Sequence, residues 1–505
     1  MPKKPGIFED CSVYSECSME GSKKPPPGGA TTHTVFAIKL ANEKDALEEY
    51  NPYEHRCPEK PTSNLETLFH LLKGSLGTGI LAMHNAFMQA GYIIGFIGVL
   101  VIAAIYTHCM HILRCIVSNV SFLTIVFVIS INLQVSCNLK KYFKFTQLEK
   151  YKNLNALDYV MHVLNWLQVL YQIGTLCVYI VFIAKNLQEV VSDHVETMGL
   201  RMYMVIIVVP LVVFLVCIRD LKTLAPFSTA GNVITFVGFA IVLYYMAVPV
   251  DGVDGGGDDW GLPPISERNA VGSIRNMPLF FGMVLFALDA IGVVMPLENN
   301  MKTPKGFGGY FGVLNQAMGF IGIFYAAIGF IGYIKYGDDC KGSITLNIPR
   351  ADILAQSVKV MLSAAMCVTF ALQAFVAIDI LWNFYLKPRL INSRWKWACE
   401  VMVRTTIVVV CFLLAYAIPN LELFISLFGA FCLSCVGLIY PAIVQSFTFW
   451  YIPGSMFQDS PSTWEGRIGR RTLLLGKNAL LLVFAVFGMV IGSYTSIRDI
   501  ADEFS

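Results

Sequence analysis

The sequence predicts an all-α polytopic membrane protein with eleven transmembrane helices. Three observations predict it. The 505 residues are 55% hydrophobic and only 14% charged, against roughly a quarter charged in a soluble globular chain. Apolar runs of about twenty residues recur from Leu65 onward, the length that crosses a hydrocarbon core of roughly 30 Å. The basic residues between the runs gather on alternate loops. The net charge of +2 says nothing about nucleic acid, and no basic block interleaved with aromatics suggests a nucleic-acid partner. Most of the fourteen cysteines lie inside apolar runs, where a cysteine packs as a small residue. No metal or other cofactor is expected.

Residues 1–64 are polar, with Lys3-Lys4, Lys23-Lys24 and a Pro25-Pro26-Pro27-Gly28-Gly29 run, and are expected to form a disordered cytosolic tail. A transmembrane domain over residues 65–497 follows. Its spans are Leu65–Gln89, Tyr92–Cys115, Asp158–Ala184, Met202–Ile218, Pro226–Pro249, Met277–Leu297, Tyr310–Tyr333, Ile353–Leu381, Val401–Pro419, Leu421–Ile452 and Leu473–Ile497. With the N-terminus inside, cytosolic loops hold Lys140, Lys141 and Lys144, then Arg219 and Lys222, Lys302 and Lys305, Lys387 and Arg389, and Arg467, Arg470 and Arg471. The acidic loop between Asp251 and Asp259 falls outside. This bias sets the orientation and leaves residues 498–505 as a short non-cytosolic tail. Val120–Val135 is apolar but only about 16 residues long, short of a span, and residues 118–157 are expected to form a cytosolic loop.

Two spans are interrupted. The first contains His70-Leu-Leu-Lys-Gly-Ser-Leu-Gly-Thr-Gly79, placing Gly74, Gly77 and Gly79 beside Ser75 and Thr78. Lipid offers a freed backbone no hydrogen-bond partner, so an opened turn belongs where it lines a cavity or binds a solute. The sixth span holds Asp289 among apolar residues, followed by Gly292 and Pro296. A carboxylate at the membrane centre costs about 2.5–3.5 kcal/mol on insertion scales, so it faces a cavity or a partner. The breaks are five spans apart, as expected for a 5+5 inverted-repeat fold with one extra C-terminal helix and a binding site between the broken helices. Freed amides at a half-helix N-terminus suit a carboxylate, and freed carbonyls at a C-terminal end suit an ammonium. An amino acid carries both.

Several motifs carry a resemblance. His70-Leu-Leu-Lys-Gly-Ser-Leu-Gly-Thr-Gly-Ile80, Thr107-His-Cys-Met-His-Ile-Leu113, Val178-Tyr-Ile-Val-Phe182, Leu224-Ala-Pro-Phe-Ser228, Met295-Pro-Leu-Glu-Asn-Asn-Met-Lys-Thr-Pro304, Gly342-Ser-Ile-Thr-Leu-Asn347 and Leu423-Phe-Ile-Ser-Leu427 appear in order. Together they resemble the proton-coupled amino acid transporters of the amino acid/auxin permease group, including its insect pathetic-like members. The resemblance covers about Asn64 to Thr495. It implies eleven spans on the inverted-repeat fold of bacterial neurotransmitter-sodium symporter relatives. It also implies symport of protons with small neutral amino acids across the plasma membrane or a late endosomal or lysosomal membrane. By position, His70 matches the family's proposed proton site, and an imidazole titrates within reach of a modest pH gradient. Gly74, Ser75, Gly77, Thr78 and Gly79 match the first substrate-binding break. Phe286 to Gly292 match the second, with Asp289 serving both substrate and proton.

The departures are specific. His84 stands where the family has proline, Asp289-Ala290 replaces Glu-Gly, and Ala377 and Asp379 replace proline and glutamate. Between Ser118 and Lys152 the family pattern disappears. Two other readings remain open from the sequence: sodium in place of protons, and an amino-acid sensor that transports little. The expected partners are small neutral amino acids, protons and the lipid bilayer, and oligomeric state is unknown. No nucleophile–base pair or metal constellation points to an enzyme.

Overall fold

The computed structural model describes residues 61–75, 77–118, 154–192, 198–217, 221–247, 263–349, 352–390, 394–451 and 464–503. The expected tail up to residue 60, the loop after Ser118 up to residue 153 and the acidic loop lie outside the described residues. Among the described residues all regular structure is helical, apart from one isolated bridge between Thr62 and Met301.

The first predicted span divides into α1 (Asn64–Ser75), α2 (Thr78–Leu81) and α3 (Met83–Ala90). It opens with a reciprocal cap in which Glu66 N–H donates to Ser63 Oγ at 3.2 Å and Ser63 N–H donates to Glu66 Oε2 at 2.7 Å, satisfying two amides that a helix start leaves without partners. After α4 (Tyr92–Ser118) come α5 (Leu154–Val191), α6 (Leu200–Cys217) and α7 (Leu221–Ala247). The sixth predicted span is α8 (Met277–Ala287) followed by α9 (Ile291–Asn300). Then follow α10 (Val313–Tyr336), α11 (Ile353–Ile378) with a π-helical extension over Asp379–Leu386, and α12 (Lys396–Ala417). Helix α13 (Leu421–Phe428) runs through a π-helical stretch, Gly429–Ile439, into α14 (Tyr440–Tyr451). The last helix is α15 (Trp464–Glu503). Nine helical stretches among the described residues are long and apolar enough to cross a bilayer, and the two broken segments are not among them.

Burial separates centre from periphery. In α5 and in the Leu421–Ser446 stretch 78% of the apolar window is buried, against 17% in α15. A helix that is apolar all round belongs inside the bundle, and α5 packs against α6, α11, α12 and α13 and against both π-helical stretches. One sequence boundary shifts. The expected tail 498–505 is helical through Glu503, and there Arg498 pairs with Asp499 at 2.8 Å and with Asp502 one turn on at 3.8 Å.

Helix α8 meets α13 backbone to backbone. A Cβ on Gly429 would overlap the Gly282 carbonyl oxygen, and one on Gly282 would overlap that of Ser426. Bilayer helices associate by such close packing because lipid supplies no hydrophobic drive between them. Gly429→Ala should therefore destabilise the protein by about 1–3 kcal/mol through overpacking, seen as a lower melting temperature in mild detergent. Gly476→Ala on α15, where a Cβ meets nothing within 4 Å, should leave it unchanged.

Candidate functional site

At the first break α1 ends at Ser75, and Gly77 is extended, with φ −125° and ψ −157°, before α2 begins. The freed Ser75 carbonyl accepts the Gly77 amide at 3.0 Å and the Tyr325 hydroxyl from α10. The Ser75 hydroxyl turns back to the Leu71 carbonyl at 3.2 Å. Ser75, Thr78 and Gly79 are buried, whereas Gly74 is exposed. A Cβ on Gly77 would meet nothing within 4 Å, so the break opens onto free space on that side.

At the second break α8 stops at Ala287, and Leu288, Asp289 and Ala290 leave the helix before α9 resumes. Asp289 is half-buried. Its Oδ2 accepts the Tyr171 hydroxyl of α5 at 2.5 Å, and its Oδ1 accepts the Tyr106 hydroxyl of α4 at 3.4 Å. The Ile291 amide, at the start of α9, donates to the same carboxylate, where a helix N-terminus favours negative charge. Phe286 is buried, with its ring 6.1 Å from that of Tyr171. Gly292 is exposed, and a Cβ there would meet nothing within 4 Å.

The two breaks touch. A Cβ on Gly79 would stand 2.5 Å from the Ala287 Cα, so only glycine lets α2 lie against the end of α8. Tyr325, which holds Ser75, also lies within electrostatic range of Asp289. Tyr325 thus links Ser75 of the first break to Asp289 of the second, Gly79 lies against Ala287 next to Phe286, and Gly77 and Gly292 each face open space. His70 is placed differently. It stands exposed on α1, one turn from Glu66, and is not among the groups that meet Asp289. Asp379 is bonded to Asn383 within its own π-helical stretch.

His84 is buried on α3, its Nε2 3.1 Å from Asn347 Oδ1 and its ring edge-on to Tyr336 at 6.3 Å. Asn347 donates through Nδ2 to the Asp339 carbonyl at 2.8 Å, and its Oδ1 also accepts the Lys341 amide at 2.9 Å. That orientation makes Oδ1 the acceptor, so His84 Nε2 carries the proton. The neighbouring Asn85 donates to Glu422 Oε2 at 2.6 Å and to the Cys340 carbonyl at 3.3 Å. The histidine that replaces proline therefore fastens the far end of the first broken helix to the Gly342–Asn347 loop.

Tyr106, Tyr171 and Tyr325 were not among the sequence-derived candidates. Their partners lie 183, 118 and 250 residues away in the chain. The only local signal was a phenolic hydroxyl inside an apolar run, which needs a partner once buried.

Residues 60–451 match the model of the transmembrane amino acid transporter protein family. The proton-coupled amino acid transporter-like protein pathetic of Drosophila melanogaster is 35% identical over 515 residues, covering 96% of this chain and 97% of that protein. The probable amino acid transporter skat-1 of Caenorhabditis elegans is 26% identical over 356 residues, covering 68% and 71%. Among solved structures, a manganese transporter of Eremococcus coleocola, bound to an aromatic bis-isothiourea substituted compound, is 12% identical with a TM-score of 0.39, over 86% of this chain and 95% of that one. That likeness is too remote to carry an argument. The family match over most of the chain, with a full-length relative above 30% identity, assigns the protein: it belongs to the transmembrane amino acid transporter family.

Proposed function

We propose that this protein moves small neutral amino acids together with protons, and that Asp289 is the group that carries the proton. The observation behind this reading is a half-buried carboxylate at a helix break, held by Tyr171 and Tyr106. Such a group can take a proton without the chain unfolding around it, and protonation weakens two hydrogen bonds that join the break to α4 and α5. Relatives named as amino acid transporters, one of them proton-coupled, support the same reading.

The two broken segments cross the bilayer beside the nine continuous spans, making eleven in two inverted five-helix repeats plus α15. The substrate ammonium lies against the carbonyls at the end of α1, around Gly74, Ser75 and Gly77. Its carboxylate lies against the amides that open α2 and α9, near Thr78, Gly79 and Gly292. The close Gly79–Ala287 contact and the buried Phe286 ring support a short substrate side chain. With the N-terminus in the cytosol, as the loop charges support, His70 lies between the break and the inner face, and we assign it the proton's exit. The plasma membrane or a late endosomal or lysosomal membrane supplies the pH gradient.

Uptake of labelled alanine or proline should rise when the outer or lumenal side is acidified and should persist when sodium is replaced. Asp289→Asn should make residual flux indifferent to pH. His70→Ala should lower the acid-driven rate roughly tenfold, about 1.4 kcal/mol, while keeping its pH dependence. Acid-stimulated uptake by Asp289→Asn would refute the assignment.

Tyr171→Phe removes a hydrogen bond to a charged group, worth about 1.5–3 kcal/mol, and should reduce uptake at least tenfold at matched surface expression. Tyr106→Phe, which loses a contact of 3.4 Å, should cost less. Equal effects of the two would argue against Tyr171 as the principal partner.

A further inference from the structure

Outside the amino acid site, a groove of about 590 Å³ runs along the outer surface between α4 and α10. Its walls change character along their length. At one end lie Leu100 and Ile323, with Ala103, Gly319 and Gly322 behind them. At the other lie His108, His111 and Tyr310. From Leu100 to His111 a helix rises about 16 Å at 1.5 Å per residue, close to half of a hydrocarbon core of roughly 30 Å. The groove is therefore one leaflet deep, apolar at the membrane centre and polar at the headgroup level.

Two further observations locate and charge the polar end. Tyr310 and Phe311 are 96% and 90% exposed just ahead of α10, as expected of an aromatic pair at the membrane–water interface. Lys477 of α15 reaches His108 Nε2 at 2.9 Å and Gln445 Oε1 at 2.9 Å, bringing an ammonium to the rim. His111 is held to Asn315 Oδ1 at 2.7 Å. Arg114, three residues beyond His111 on α4, engages Glu298 at 2.8 Å.

We propose that this groove binds one anionic phospholipid from the leaflet at the C-terminal end of α4. An acyl chain lies over Gly319 and Ala103, and the phosphate lies by Lys477, His108 and His111. A lipid is the occupant that fits a groove one leaflet deep and open to the bilayer, and the rim ammonium selects a negative headgroup. The walls are the helices that carry Tyr106 and Tyr325, so the bound lipid braces the scaffold behind both breaks. The proposal does not depend on the proton assignment.

Gly319 gives the test, because a Cβ there meets nothing within 4 Å and a larger side chain fills the groove without displacing the bundle. The full-length protein, reconstituted in phosphatidylcholine vesicles with or without phosphatidylserine, is extracted and its retained lipids are counted by native mass spectrometry. Wild type should retain phosphatidylserine over phosphatidylcholine. Gly319→Leu should lose the retained phosphatidylserine, and Lys477→Gln should weaken it about fivefold without changing phosphatidylcholine. Soluble phosphoserine should not compete. Equal retention of both lipids by wild type, or undiminished phosphatidylserine on folded Gly319→Leu, overturns the proposal. If Gly319→Leu does not fold, an unchanged lipid preference in Lys477→Gln overturns it alone.

Discussion

The hydrogen bond from Tyr171 to Asp289 is the contact on which the rest of the arrangement depends. A carboxylate inside a bilayer costs about 2.5–3.5 kcal/mol, and hydrogen bonds to a charged group return about 1.5–3 kcal/mol each. The 2.5 Å contact to Tyr171, the longer one to Tyr106 and the Ile291 amide together offset the cost of keeping Asp289 where it is. Without them the break between α8 and α9 would hold an unsatisfied acid in an apolar surround. The first break follows the same rule, with Tyr325 capping the carbonyl that Ser75 leaves exposed.

Both broken helices are fastened on either side of the opening. Asn85 and His84 tie α3 to Glu422 and Asn347. At the other side, Thr62 pairs with the end of α9 through bonds of 2.8 Å to the Asn300 carbonyl and from the Lys302 amide, and Arg114 holds Glu298. Gly282 and Gly429 bring α8 and α13 into backbone contact. In the proposed transport cycle the breaks are the places for movement, between these ties and the hydroxyls that α4, α5 and α10 present.

Much of this was legible in the sequence. Three glycines close together, and one acid in an apolar run, have few explanations in a bilayer, so the two breaks were visible before any coordinates. The tyrosines were not, because nothing local distinguishes a phenol that meets a carboxylate 118 residues away from one that packs. His84 read as a departure from the family pattern, and only its bond to Asn347 shows why α3 holds a buried imidazole. His70 matched a family position, yet whether it faces the site depends on the rotation of α1, and it stands on the exposed side. The last helix outran its apolar stretch and continues to Glu503, through polar residues that hydropathy does not count.

The central claim is that a proton travels with the amino acid by way of Asp289. Proteoliposomes loaded with a pH-sensitive dye, free of sodium, test it most directly. Adding alanine outside should acidify the lumen for the wild-type protein and leave it unchanged for Asp289→Asn. Alanine entry with no lumenal acidification in the wild type, or acidification undiminished in Asp289→Asn, would contradict the account.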